Sequence, residues 1–155
     1  MHHVKKGFAL ALMLTAGLSA ACGGDSGNTT TTTTPTLSQE TLSGTVPPPI
    51  VGVRQAASVP FNVASPGGTV QVTLTSAVES HPDGTTNPNV VMGIAVGSPS
   101  AGACALAAGN VPILLQSGAN SAISGSAAAG VYCVQVSDVT NQLGPVAFTV
   151  VIQHP

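Results

Sequence analysis

Few side chains in this chain could take part in catalysis, and most of them lie in one short segment. His81 and Asp83 together with a serine would supply the three groups of a hydrolytic triad. The segment around them, His81-Pro82-Asp83-Gly84, has the residue types of a turn, and the chain contains no Gly-x-Ser-x-Gly elbow to present a nucleophile. We therefore interpret this segment as a turn, assign no catalytic residue, and predict that the protein is not an enzyme.

The same region is rich in oxygen ligands, which raises the question of a metal site. Asp83, Asn87 and Asn89 fall within seven residues. Calcium takes six to eight oxygen ligands, several of them from carboxylates, whereas this loop offers one carboxylate, or two if Glu79 joins it. A plain polar loop is the favoured interpretation and a weak calcium site is the alternative. No other metal and no cofactor is expected.

The first 22 residues have the layout of an export signal. Lys5 and Lys6 precede an apolar run over residues 7–18. As a helix this run would rise about 18 Å, against a hydrocarbon core of about 30 Å, so it is too short to span a membrane but suits a signal peptide. The run ends in Leu18-Ser19-Ala20-Ala21-Cys22, which resembles a bacterial lipobox.

The lipobox resemblance implies cleavage before Cys22 and a diacylglyceryl group on its thiol, which would anchor the protein to a membrane. The alternative is an ordinary secretory signal that leaves Cys22 as a free thiol. In enteric bacteria an Asp directly after the cysteine favours the inner membrane. Gly23 stands there instead, which favours the outer membrane, on its periplasmic or surface face.

A tether and a single domain are expected after the signal. The stretch up to Ser38 is small and polar, with six threonines in succession over residues 29–34. Such a stretch cannot bury enough apolar area to offset its ordering entropy, so we predict a flexible spacer, with a glycosylated stalk as the alternative. The predicted organisation is a signal peptide over 1–21, a lipidated cysteine and tether over 22–38, and one domain over 39–155.

The other two cysteines, Cys104 and Cys133, are expected to form a disulfide. An odd number of cysteines in an exported chain calls for an explanation, and lipidation of Cys22 would leave an even pair. Their separation with no histidine nearby makes a poor zinc site. Because Cys133 alternates with Tyr132 and Val134, the bridge is expected on the outer face of its strand, outside the main core.

Charge and aromatic content exclude several function classes. After Cys22 the only basic residue is Arg54, against five acidic residues. One cation cannot neutralise a run of phosphates or hold an anionic membrane surface, so binding of nucleic acid and adsorption through a basic patch are excluded. The only aromatic residues beyond the signal are Phe61, Tyr132 and Phe148, which disfavours a lectin that stacks sugars and a membrane barrel with aromatic girdles.

Alternation of apolar and polar residues dominates the rest of the chain and predicts an all-β fold. Val70, Val72 and Leu74 alternate with polar residues, as do Phe148 and Ile152 with their neighbours. About eight short strands are predicted, at residues 40–46, 59–63, 70–75, 89–97, 111–116, 120–126, 132–137 and 148–153. Turn residues separate them and no helical period occurs, so the predicted architecture is an antiparallel, jelly-roll-like β-sandwich.

Three details of this prediction concern segments outside the strands. Residues 101–108 contain Gly102 and are expected to form a loop or short strand. The three prolines at 47–49 are expected to form an extended polyproline segment in a hairpin-like connection. His154 is expected to be solvated, and Asp138 is expected to cap the turn after its strand.

Three segments resemble bacterial pre-peptidase C-terminal domains: FNVASPGGTVQVTL at 61–74, AGVYCVQVSD at 129–138 and GPVAFTV at 144–150. The resemblance spans residues 41–152. It implies a small jelly-roll-like β-sandwich that serves as a non-catalytic accessory module of secreted or envelope proteins. The aspartate-rich segment common in the middle strand of that family is replaced here by VVMGIAV at 90–96, so the resemblance does not support a calcium role there.

These observations lead to one functional expectation and one alternative. The absence of catalytic groups and the many uncharged strands favour a membrane-anchored structural or interaction module that binds another envelope protein. The alternative is a module that binds a glycan or cell-wall polymer through the loops between strands. A flat apolar surface would favour the protein partner, and a concave cluster of Asn, Gln and Asp would favour the glycan.

Overall fold

The computed structural model describes residues 36–118, 120–140 and 142–155. The predicted signal peptide, Cys22 and nearly all of the predicted tether lie outside these residues. The described part contains ten strands: β1 Ser38–Val46, β2 Ala56–Val63, β3 Gly68–Ser80, β4 Thr86–Asn87, β5 Val91–Ser100, β6 Ala103–Ala105, β7 Ile113–Gln116, β8 Ala122–Ala127, β9 Gly130–Ser137 and β10 Val146–His154.

The strands form two antiparallel five-stranded sheets packed face to face, so the predicted β-sandwich is confirmed. The first sheet has the order β1-β10-β3, with β4 and β8 both pairing with β3. The second has the order β2-β9-β5, with β6 and β7 both pairing with β5. The eight predicted strands all occur, and β4 and β6 are two additional short ones. β6 lies inside the segment expected to be a loop or short strand.

The core lies between the sheets and is built from the predicted alternation. Val150 and Ile152 of β10 pair with Leu74 and Val72 of β3, and all four side chains are buried. The opposing sheet contributes buried side chains from β5 and β9, including Ile94. Fully burying an aliphatic side chain of this size contributes about 1.5–3 kcal/mol, so this layer is the main source of stability.

The outer face of the second sheet is covered by the chain that links β5 to β7. The outward positions of β5 are Gly93, Ala95 and Gly97, which leave room for this covering segment. A Cβ on Gly97 would lie 3.1 Å from the Sγ of Cys104 and would overlap the carbonyl oxygen of Ala105. A residue with a side chain at position 97 would therefore push the covering segment off the sheet.

The predicted cysteine pair is brought together on this outer face. Cys104 of β6 and Cys133 of β9 have their Sγ atoms 2.00 Å apart and their Cα atoms 5.7 Å apart. Both residues are buried but neither belongs to the core between the sheets. The bridge thus joins the covering segment to the sheet outside the main core, as the alternation on β9 predicted.

The connection that contains the three prolines differs from the prediction. β1 belongs to the first sheet and β2 to the second, so residues 47–55 cross between sheets and do not form a hairpin-like connection. The crossing contains a tight turn in which the Val53 N–H donates to the Ile50 carbonyl oxygen at 2.9 Å, with Gly52 at a φ of 76°. That positive φ is the conformation that glycine adopts without a Cβ penalty.

The strand directions divide the sandwich into two ends. The entry end holds Ser38, where β1 begins, and His154, its partner in β10. The far end holds the loops over residues 47–55 and 81–90 and the described residues 138–140 and 142–145. β1 has nine residues at about 3.3 Å each, so the two ends lie roughly 30 Å apart.

Candidate functional site

The oxygen-rich loop at the far end uses its side chains for local hydrogen bonds. Asp83 Oδ1 accepts from the backbone N–H of Thr85 at 2.9 Å and from its hydroxyl at 2.7 Å. These bonds, the side-chain one first, hold the pKa of Asp83 below its usual value. Asn87 Oδ1 accepts the N–H of Asn89 at 3.0 Å. Among the residues the structure describes, no three His, Cys, Asp or Glu side chains cluster as a metal site would require.

The segment considered above as part of a hydrolytic triad forms a turn. The Gly84 N–H donates to the His81 carbonyl oxygen at 3.0 Å, and the His81 N–H donates to the Thr85 carbonyl oxygen at 2.9 Å. The imidazole of His81 contacts Glu79 instead of Asp83, with Nε2 3.0 Å from Oε2.

Glu79, which the sequence offered only as a second carboxylate for the oxygen-rich loop, is a buried residue. Its side chain is 2% exposed, and its Oε1 accepts the backbone N–H groups of Gly144, at 2.9 Å, and of Leu143. Burial acts to raise the pKa of Glu79, but these two N–H groups and His81 outweigh it and lower the pKa below its ordinary 4.5. Glu79 therefore fastens the turn between β9 and β10 to the end of β3.

A bulge explains why alternation along β3 misplaces Glu79. Val150 pairs with Leu74, but the preceding residue of β10, Thr149, pairs with Ser76, so Thr75 has no partner in the ladder. The extra residue reverses which side chains point inward, as a β-bulge does. Without it, Glu79 would lie on the outer face of the first sheet.

The expectation that His154 is solvated is wrong. Its side chain is 4% exposed, its Nε2 lies 3.0 Å from Oε1 of Glu40, and its ring packs at a tilt against Phe61 with centroids 5.8 Å apart. The alternation of Phe148, Val150 and Ile152 places position 154 on the same inward face, so extending that pattern by two residues would have predicted the burial.

The expected turn cap at Asp138 is present, and it forms one wall of a cleft at the far end. Asp138 is buried, and its Oδ1 accepts the Thr140 N–H at 2.7 Å. The cleft has a volume of about 410 Å³ and lies between residues 49–54 on one side and Asp138, Thr140 and Gln142 on the other.

Gln142 lines the same cleft and has an unsatisfied polar atom. Its side chain is 6% exposed, and its Nε2 donates to the sulfur of Met92 at 3.1 Å. Its Oε1 is buried with no hydrogen-bond partner among the described residues. Leaving a buried acceptor unpaired costs roughly 1–3 kcal/mol. Nothing in the spacing of residues around Gln142 signals this environment, because it depends on the β1–β2 crossing.

The rim of this cleft is apolar and exposed. Val51 is fully exposed, and Ile50 and Val53 are more than half exposed. Leu143, which follows Gln142, is also exposed. Arg54 completes the rim, and it forms no ion pair with a carboxylate of the described residues. An apolar loop around a polar floor is typical of a binding surface.

A second, larger concavity opens on the side of the sandwich. This side groove has a volume of about 530 Å³ and lies between β8 of the first sheet and the β5–β6 region of the second. Its lining is mainly apolar, with Val70, Val72, Val96, Leu106, Ile123 and Tyr132 among the contributing side chains. Ala105 of the three-residue strand β6 contributes to this lining.

Comparisons with known proteins add no identity to this geometry. No protein-family model matches the chain, and neither the curated proteins nor the solved structures include a match. Within the described residues there is also no helix long and apolar enough to cross a bilayer.

Proposed function

We propose that this protein is a membrane-anchored, non-catalytic interaction module of the bacterial cell envelope, and that it binds another envelope protein with the far end of its sandwich. The observation that carries the proposal is the exposed apolar loop formed by Ile50, Val51 and Val53. An exposed apolar loop costs solubility and contributes nothing to this domain's core, whereas a partner that covers it gains free energy from the burial.

The position of this loop suits a protein tethered at the opposite end. Anchoring rests on the resemblance of residues 18–22 to a lipobox, and the described chain enters the domain at Ser38. The apolar loop lies at the other end of β1, roughly 30 Å away. A tether attached at the entry end therefore leaves the far end free to meet a partner that stands away from the anchoring membrane.

The net charge of the whole domain favours a protein over a membrane as the partner. The described domain carries four carboxylates and the single cation Arg54, and a net negative surface is repelled by anionic lipid. The alternative partner, a glycan, receives less support. Oxygens of Asp83 and Asn87 already accept local hydrogen bonds, and no described aromatic side chain lies on the rim.

The experiment is a crosslinking pull-down of the full-length protein from its own membranes. Val51→Asp should abolish capture of a stoichiometric protein partner, because it places a charge in the apolar contact. Val111→Asp is the matched control, since Val111 is an exposed valine in a loop elsewhere, and it should leave capture unchanged. Cys22→Ser should release the protein from the membrane fraction.

Two results would contradict the proposal. Recovery of wall polymer or polysaccharide with no protein would move the function to glycan binding. Equal capture by the Val51→Asp and Val111→Asp variants would show that the far end is not the contact surface.

A further inference from the structure

From the far-end cleft we infer the chemistry of the group that the partner presents: a protonated amine or guanidinium on an apolar stem, as in a lysine or arginine side chain. This inference rests on the proposed function, because it treats the cleft and its apolar rim as one protein-binding surface. It is carried by the buried, unpaired Oε1 of Gln142 in the cleft lining.

The hydrogen-bonding capacity of the cleft favours a donor. Gln142 Oε1 is an acceptor with no described partner, and Asp138 adds a carboxylate, which carries only acceptor atoms when ionised, to the same lining. The Nε2 of Gln142 already donates to the sulfur of Met92, so Oε1 is the amide atom left to accept a hydrogen bond. A ligand that reaches these atoms must therefore donate hydrogen bonds.

Charge selects a cationic donor over a neutral one. Asp138 contributes a carboxylate to the lining, and among the residues that line the cleft it is the only acidic one. A hydrogen bond between a cation and a carboxylate is about twice as strong as one between neutral groups. Arg54 stands on the exposed rim and would pair with a carboxylate of the partner.

The wall of the cleft fits the stem of such a side chain. Pro49, Ile50 and Val53 line it, so methylene groups would lie against apolar surface while the charged head reaches the polar atoms. This arrangement unites the apolar rim and the buried acceptors in a single mode of recognition.

The test uses the full chain in detergent with its isoleucine methyl groups labelled with carbon-13 for NMR. The chain has five isoleucines. Ile50 reports on the cleft, and Ile94, which is fully buried in the core, is the internal reference. The probe is n-butylammonium, with n-butanol and n-butyrate as the neutral and anionic comparisons.

We expect a saturable shift of the Ile50 methyl signal with n-butylammonium, a weaker response to n-butanol and none to n-butyrate, while Ile94 stays unchanged. Gln142→Leu and Asp138→Asn should each weaken the response by roughly tenfold or more, because each removes an acceptor for a charged donor. Gln71→Leu, at an exposed strand position, is the control and should respond as the unmodified chain does.

Three outcomes would overturn the inference. A shift that does not saturate would mean that the cleft has no specific site for the cation. An equal response to n-butanol would remove the requirement for charge. An unchanged response in the Gln142→Leu variant, whose folding is checked by its thermal unfolding, would place the probe elsewhere.

The inference and the proposed function can fail separately. If the pull-down depends on Val51 but not on Gln142, the interaction surface stands and the chemistry assigned to the cleft is wrong. If n-butylammonium binds as expected but no protein partner is captured, the cleft recognises a cation and the proposed function is wrong.

Discussion

The side groove and the far-end cleft are both concave, but they differ in what their walls leave unsatisfied. The side groove is the larger, at about 530 Å³ against 410 Å³. Its lining is mainly apolar, and the hydroxyl of Tyr132 at its edge donates to the Ala128 carbonyl oxygen at 3.1 Å. The far-end cleft holds a buried acceptor on Gln142 that has no described partner. The larger concavity is therefore not the one that contains the unpaired hydrogen-bond acceptor.

This difference teaches that volume alone is a poor guide to a binding site in a small sandwich. An apolar opening can arise where an edge strand is short, as the three-residue strand β6 is here. A buried unpaired oxygen costs stability in the free protein, so it is the feature that a ligand can relieve.

The largest effect is expected from loss of the disulfide. Its two cysteines are chain neighbours of Ala105 and Tyr132, which line the side groove. Replacing Cys104 and Cys133 by serine should lower the free energy of unfolding by roughly 3.5 kcal/mol, because the bridge closes a loop of about 30 residues in the unfolded chain. Denaturant unfolding of the oxidised protein and the double variant measures the loss. Hydrogen exchange should accelerate in residues 103–112 but not in 49–54. Uniform acceleration would show that the two regions are not independent.

A somewhat smaller loss is expected at the far end from Glu79→Ala. The variant leaves the N–H groups of Leu143 and Gly144 without their acceptor, and it should destabilise the protein by roughly 3 kcal/mol. Thermal or denaturant unfolding measures this. The matched control is Glu40→Ala, because Glu40 is partly exposed and bonds a single histidine nitrogen at the entry end. An equal loss in both variants would contradict the role assigned to Glu79.

The charge of Glu79 should also make stability depend on pH. Its pKa is lowered in the folded protein, so the stability it contributes is fully present above the ordinary value of 4.5 and is lost as pH falls through the folded pKa. Melting temperatures measured from pH 7 down to about pH 3 should fall less steeply in Glu79→Gln, which keeps the shape but cannot ionise. Parallel curves for the two proteins would refute this.

The smallest effect has the opposite sign. Gln142→Leu removes the unpaired acceptor and keeps a similar volume, so it should stabilise the protein by roughly 1 kcal/mol. Gln71→Leu on the exposed face of β3 should change stability by less than about 0.5 kcal/mol. A destabilised Gln142→Leu variant would mean that the amide is already satisfied, and the contrast between the two concavities would then disappear.

Local patterns in the chain were sufficient to predict the class of fold and much of its detail. The alternation of Val70, Val72 and Leu74 follows from the two-residue period of a strand, which any half-buried strand must obey. Turn residues delimited the strands, and the alternation of side chains along β9 placed Cys133 on the outer face. The same alternation along β10, extended to position 154, would also have predicted the buried histidine.

Other features depended on which strands meet, and only the tertiary structure decided them. Glu79 turns inward because Thr75 has no partner in β10, and no residue pattern near Thr75 predicts that bulge. The connection at 47–55 crosses between sheets because β1 and β2 pair with different strands, β10 and β9.

The same distinction separates the parts of the candidate site. The sequence by itself determined that the protein is β-structured, poor in cations and without a catalytic motif, because composition and short-range period are properties of the chain alone. Tertiary structure decided that Gln142 and the 49–54 loop line one cleft. The chain crosses between the sheets after β1 and again after β9, and these two crossings are far apart in the sequence. Long-range pairing sets those neighbours, and no local pattern encodes it.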